Sequence, residues 1–211
     1  MLPVSTSKKT PPEQPYHHGD LRAALIAAAR QTVEKEGFET LSLRGVAEKI
    51  GVSNAAPYRH FKDKKALLAA LAADGFVALE QAYRKVREIS DPEQRLLAGA
   101  RTFIGFAAER PGLFRLMFDS ELLADGRAPA ADVAEPALIA YASVERGVAA
   151  VMPGRDDKTI KARTIFLWST LHGLIVLRRN RRLKRFMLGG MSENEAIETL
   201  LASAVAAVCR P

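Results

Sequence analysis

Between Leu41 and Phe61 the side chains that could do chemistry are Ser42, Arg44, Ser53, Asn54, Tyr58, Arg59 and His60, with Lys64 just beyond. Their types suit recognition of a nucleic acid rather than bond breaking. Hydroxyls, His and Lys match phosphate oxygens, Arg and Asn can pair bidentately with guanine or adenine, and an alanine methyl can meet a thymine methyl. The spacing fits two short crossing helices. Ala47 is small where the second helix must approach, and Gly51 four residues later can adopt the left-handed conformation that turns the chain quickly. Val52 then plugs the angle, while Leu43, Val46, Ile50 and Phe61 close the core beneath. This leaves Ser53, Asn54, Ala55, Ala56 and Arg59 at the exposed start and outer face of the second helix, where a helix-turn-helix faces base edges.

Other reactive side chains form no comparable constellation. There are no paired carboxylates, no nucleophile and base at working spacing, and no metal-ligand cluster, so neither an enzyme nor a cofactor or metal is expected. His17 and His18 are adjacent imidazoles without further ligands at helical spacing, a poor metal site. Beside Lys8 and Lys9 they fit a phosphate-grazing arm or plain disorder. Cys209 has no partner and no neighbour to stabilise a thiolate, which suits a reducing, cytoplasmic compartment. Phe103, Phe114, Met117 and Phe118, at the junction of two middle helices, read as an apolar pocket or as ordinary core. Trp168 and His172 share a helical face with Ile175, either as a packed interface with a satisfied imidazole or as a polar contact for a ligand. The cations Arg178, Arg179, Arg181, Arg182, Lys184 and Arg185 fit a solvated helix end, a dimer rim or a contact for an anionic ligand.

Helices must position all of these groups. The 211-residue chain is 48% hydrophobic and 26% charged with a net charge of +7, favouring polyanionic partners. No stretch reaches about 18 uninterrupted apolar residues, so no membrane span is expected, and the opening residues carry no apolar signal block. Residues 1 to 19, with Pro3, Pro11, Pro12 and Pro15, read as a flexible arm. Asp20 is placed to cap a first helix ending at Gly37. Ser42 and Ser53 are placed to cap the two short helices, which end at Ile50 and near Phe61. A long fourth helix runs from Asp63 to about Glu88, and Asp91-Pro92 starts the next, ending near Arg110. Pro111-Gly112 opens a short helix, residues 119 to 131 read as a loop, and a helix from about Val133 ends at Pro153-Gly154. The stretch from about Asp157 to Arg179 is apolar nearly all round, and Ser192 with Glu195 makes a capping box for a last helix to about Cys209. No strand signal is present.

The stretch from about residue 20 to 70 resembles the tetracycline-repressor-like (TetR) family of bacterial regulators: Ala47, Gly51, Val52, Ser53, Tyr58, His60, Phe61 and Lys64 match its signature, as do Ser42, Leu43 and Arg44. Two positions depart from it. Ala55 stands where the family usually has glycine, and Pro57 where it has leucine or isoleucine. Pro57 lacks an N–H and disfavours a helical Ala56, delaying or bending the recognition helix at its first turn. The resemblance implies that Ser42, Tyr58, His60 and Lys64 hold phosphates while Arg44, Asn54, Ala56 and Arg59 face bases. Trp168 followed by His172-Gly173 is similar to a C-terminal motif of one branch of the family. The implied fold is all-α: a helix-turn-helix domain over 20–66 and a larger domain over 67–211 that binds a small-molecule effector and dimerises through its last two helices. The expected partners are a palindromic double-stranded operator, a second copy of the chain and an effector that releases a repressor, with no membrane. A helical enzyme and a purely architectural DNA binder with a fully packed C-terminal domain are the alternatives.

Overall fold

The computed structural model describes residues 21–122 and 131–210. The expected arm, with Lys8, Lys9, His17 and His18, the cap at Asp20 and most of the 119–131 loop lie outside the described residues.

Local hydrogen-bond chemistry starts the helices where the sequence places them. The helix α1 spans Leu21–Glu36 and stops at Gly37, whose φ of +89° suits glycine. Ser42 caps α2, Leu43–Lys49, its hydroxyl oxygen accepting from the Gly45 N–H at 3.0 Å. Asp63 caps α3, Lys64–Val86, by accepting from Ala66 N–H at 2.7 Å, and Asp91 caps α4, Pro92–Glu109, by accepting from Gln94 N–H at 2.8 Å. The helices α5, Pro111–Phe118, α6, Ala131–Val151, and α7, Asp157–Arg179, follow. The capping box of Ser192 and Glu195 opens α8, Glu193–Cys209. Helix α6 begins two residues before the expected Val133 and carries Pro136 inside it. The described residues contain helices and turns only, an all-α fold.

One expected helix does not form. Ser53 caps nothing, and the second element of the helix-turn-helix is a 3-10 turn, Ala56–Arg59, preceded by Ala55 without a side-chain cap. The cause is Pro57. In an α-helix starting after Ser53, the N–H of residue 57 would bond the Ser53 carbonyl, and proline has none to give. That carbonyl instead accepts from Ala56 N–H at 2.9 Å, and the Pro57 carbonyl accepts from both His60 and Phe61 N–H groups.

Helix α3 is the spine. Leu67, Leu71, Phe76, Leu79 and Tyr83 are buried along it, and it packs against α1, α4, α5 and α6 in turn. The expected domain boundary at 66/67 therefore falls inside a continuous helix, which passes Gly75 without a break. A Cβ at Gly75 would lie 2.6 Å from Met117 Sδ, so this glycine lets α5 press against α3.

The tightest approach joins α5 to α1. A Cβ on Gly112 would stand 2.3 Å from the Val33 carbonyl oxygen, a backbone atom that cannot swing away. Beside it, the Glu34 carboxylate accepts from the Gly112 and Leu113 N–H groups at 2.9 and 3.0 Å. Those are orphan donors of the first turn of α5. The side chain of the preceding residue, Arg110, offers no acceptor, so α1 supplies the cap from another part of the chain.

Helix α7 is different. By length and mean hydropathy both α3 and α7 could cross a membrane, yet most of α3 is core, whereas only 28% of the most apolar window of α7 is buried. Ile165, Phe166, Trp168 and Leu177 remain exposed on it.

Gly112→Ala should destabilise the fold by about 1–3 kcal/mol, the range for overpacking a close contact, measured by chemical denaturation. An unchanged midpoint would show that α1 and α5 are free to separate.

Candidate nucleic-acid interface and apolar cavity

The turn that carries the first candidate site is fixed from below. Gly51 has φ +72°, and the Val52 N–H folds back to the Ala47 carbonyl at 3.1 Å. Ala47 is fully buried, and Leu43, Val46 and Phe61 are buried beside it. Arg22 stacks over the Phe61 ring, its guanidinium carbon 5.4 Å from the centroid. Pro57 is buried too, so it fills the apolar position under the turn while removing the helix hydrogen bond.

Above this base the candidate side chains stand exposed: Ser42, Arg44, Ser53, Asn54, Ala55, Tyr58, Arg59 and His60, with Ala56 half-buried. Tyr58 is 51% exposed, which assigns it to the surface rather than the core. Between Leu41 and Lys65 six cations, Arg44, Lys49, Arg59, Lys62, Lys64 and Lys65, face two acids, Glu48 and Asp63. Asp63 is spent on its cap. The surface is a cationic, hydrogen-bonding face on a rigid turn, suited to phosphates and base edges. Lys64 is partly committed, its ammonium donating to the Glu39 carbonyl at 2.5 Å. The carboxylate of Glu39 pairs with Arg115 of α5 at 2.6 Å. A backbone hydrogen bond first, and then both cations, hold the Glu39 carboxyl below its usual range.

The second site is an apolar cavity of about 350 Å³ between α3, α4, α6 and α7. Of the residues singled out in the sequence, Phe103, Phe118 and Trp168 line it. Phe114 and Met117 do not, being almost fully buried core. His172 lies behind the wall, its ring 5.0 Å from Trp168, 5.4 Å from Phe114 and 5.5 Å from Phe118. Burial lowers its pKa, opposed by Asp119, and its buried Nδ1 has no hydrogen-bond partner among the described residues. Asp119 is itself held by Arg179 at 2.6 Å. The rest of the wall, including Phe76, Leu79 and Tyr83 of α3 and Tyr141 of α6, was not singled out from sequence because these residues are indistinguishable from core until the facing helices are in place.

Sequence reasoning also passed over Glu80, although a signal existed: an acid inside the apolar stripe of Phe76, Leu79 and Tyr83 on α3. It is only 6% exposed, and it pairs with Arg87, with Ser143 of α6 and with Arg84 at 3.7 Å. Within the basic run Arg178 pairs with Glu193 at 2.9 Å and Arg179 with Asp119, whereas Arg181, Arg182, Lys184 and Arg185 are exposed without an ion pair among the described residues.

Comparison with known proteins gives two family models that match along the chain. Residues 25–71 match the one described as bacterial regulatory proteins, tetR family, and residues 96–205 match a tetracyclin repressor-like C-terminal domain. A protein of unknown function from Rhodococcus sp. RHA1 is similar at 33% identity and a TM-score of 0.75, over 94% of this chain and 98% of that one. At 22% identity, a TetR variant from Acinetobacter baumannii AYE, solved in complex with minocycline, has a TM-score of 0.62 over 88% of this chain and 94% of that one. FadR from Bacillus subtilis, a transcriptional regulator solved with stearoyl-CoA, is 14% identical with a TM-score of 0.67 over 89% of this chain and 97% of that one.

Pro57→Leu should restore the residue-57 N–H that an α-helix starting after Ser53 needs, and extend the turn into an α-helix. Cα chemical shifts of residues 54–58 should move downfield. Unchanged shifts would mean that another constraint, not the missing N–H, shortens the element.

Proposed function

From the premise that this chain belongs to the TetR family of transcriptional regulators, with a helix-turn-helix DNA-binding domain, we propose that it is a homodimeric repressor released from its operator by a small molecule. In this reading residues 20–66 bind DNA and residues 67–211 sense the effector and dimerise. Arg44, Asn54, Ala56 and Arg59 face bases, with Ser53 and Ala55 letting the backbone come close. Ser42, Tyr58, His60 and Lys64 hold phosphates. Lys64 keeps donors for this beyond the one given to Glu39.

The observation that carries the proposal is that one pair of helices serves both sites. Helix α3 begins at Lys64 beside the DNA-reading turn and continues into the cavity wall through Phe76, Leu79 and Tyr83. Helix α5 contributes Phe118 to the cavity and is clamped to α1 through Glu34 and to Glu39 through Arg115. A ligand that displaces Phe118 or Tyr83 therefore acts on groups that set the attitude of the DNA-binding domain, and only its differential affinity for the two attitudes shifts the equilibrium. A cavity of this size argues against a purely architectural binder, which would have no reason to leave its sensing domain unfilled. The complexes with minocycline and stearoyl-CoA support a ligand-binding role for this fold.

The exposed apolar face of α7 supports a dimer, since a soluble protein rarely leaves such a patch uncovered. Two-fold pairing would set the recognition elements for half-sites about one DNA turn, roughly 34–36 Å, apart.

Selection of bound sequences from random DNA should recover a palindrome. On that site Asn54→Ala should cost about 1–3 kcal/mol at one base position, while Lys64→Ala should weaken all sequences and flatten the salt slope by about one unit. Equal losses on operator and random DNA for both variants would sink the assigned roles. Sedimentation should give a dimer at micromolar protein and a monomer after Phe166→Asp, and a wild-type monomer would defeat the proposed symmetry.

A further inference from the structure

A second cavity, of about 310 Å³, adjoins the apolar one, and the two share Tyr83, Val144 and Leu171 on their walls. The first cavity is lined by rings and aliphatic groups. The second carries Arg87, Arg95 and Arg146 and reaches solvent beside the exposed Arg146 and Ala150 of α6.

The charges there do not cancel. Glu80 is already satisfied by Arg87, Arg84 and Ser143. Arg95 donates only to the carbonyls of Ile89 and Ser90, at 2.6 and 3.5 Å, and Arg146 donates to the Ser143 hydroxyl at 2.7 Å. Neither has an anionic partner among the described residues. Two guanidiniums from facing helices, α4 and α6, thus converge on one opening with donor capacity to spare, the arrangement that binds a carboxylate or phosphate.

Glycine keeps the opening clear. Gly99 lies inside α4, where glycine weakens a helix relative to alanine, and a Cβ there would meet no atom within 4 Å. No packing contact requires it. Gly147 of α6 is also on the cavity wall, where a Cβ would lie 3.2 Å from Leu96 Cδ1. Between the two cavities stands Tyr83, buried and lining both. Burial and the nearby Glu80 push its pKa up, so it is a neutral donor at the junction.

Resting on the reading of the larger domain as a ligand sensor, we infer that the two cavities form one site for an amphiphilic anion. Its apolar body lies against Phe76, Phe103, Phe118 and Trp168, and its anionic head sits between Arg95 and Arg146. A free long-chain carboxylate and an acyl group on a phosphorylated carrier share this chemistry. A cation is excluded by the uncompensated arginines, and a wholly neutral ligand would leave them unused while filling only the inner cavity.

Trp168 is the only tryptophan in the chain and lines the inner cavity, so its fluorescence reports occupancy without a label. The full-length protein is titrated with hexadecanoate, hexadecanoyl-CoA and methyl hexadecanoate, as wild type, as Arg95→Gln/Arg146→Gln and as Gly99→Leu. At least one anionic probe should bind about tenfold or more tightly than the methyl ester. The double variant should erase that preference while leaving the ester within about twofold, and Gly99→Leu should weaken the anion by blocking the mouth even if the double variant misfolds. Tighter binding of hexadecanoate assigns the free acid, and tighter binding of the CoA ester assigns the carrier-linked acyl group. Binding of both anionic probes no tighter than that of the methyl ester, insensitive to the variants, would overturn the inference. So would the absence of any Trp168 response in a protein that still binds operator, which leaves the proposed regulator intact. Uptake of an anionic probe by a protein that binds no operator DNA would support this site and defeat the regulatory reading instead.

Discussion

The contact on which the architecture turns is the junction of α1 and α5 at Gly112. Backbone lies against backbone there, with no room for a single methyl group, and Glu34 closes the first turn of α5 from outside the helix. Such a contact has no soft side chain to absorb a shift, so a movement of α5 is passed to α1 whole. Arg115 and Glu39 repeat the linkage one turn later, and Lys64 ties the same loop to the start of α3. Helix α1 and the loop after it are thus held at three points to α3 and α5, the helices that also contribute to the cavity wall.

Around this junction the protein separates rigid from adjustable parts. The turn at Gly51 and its buried base of Ala47, Pro57 and Phe61 have little freedom. Pro57 is instructive, because one residue both fills the apolar position beneath the turn and removes the hydrogen bond that would have made the segment α-helical. The recognition element is therefore a tight 3-10 turn presenting Asn54, Tyr58, Arg59 and His60 close to the chain reversal.

The larger domain places its polar groups sparingly. Glu80 is buried at the cost of collecting Arg87, Arg84 and Ser143 around it, as a carboxylate inside an apolar helix stripe must. That arrangement satisfies the acid and leaves Arg95 and Arg146 at the opening without an ion pair among the described residues. The rings of Phe103, Phe114, Phe118 and His172 form one cluster at separations of 4.6–6.4 Å, with Phe103 and Phe118 on the cavity wall and the other two behind it. Its packing links the cavity wall to Asp119 and, through that acid, to Arg179 of α7.

What the amino-acid sequence determined alone is whatever is encoded between residues a few positions apart. The caps at Ser42, Asp91 and Ser192, the start of the long helix at Asp63, the turn at Gly51, the helical spacing of Leu67 to Tyr83 and the family signature from Ala47 to Lys64 are all local, and each lies where it was expected. Pro57 was legible as a disturbance but not in its outcome, since whether the helix bends, starts late or collapses to a 3-10 turn depends on the core it must also fill. Tertiary structure alone decided the long-range meetings: Glu34 with Gly112, Arg115 with Glu39, Glu80 with Ser143, and the sorting of the phenylalanines into wall and core. Periodicity states that a face is apolar, but only the packing of helices far apart in the chain states what that face meets.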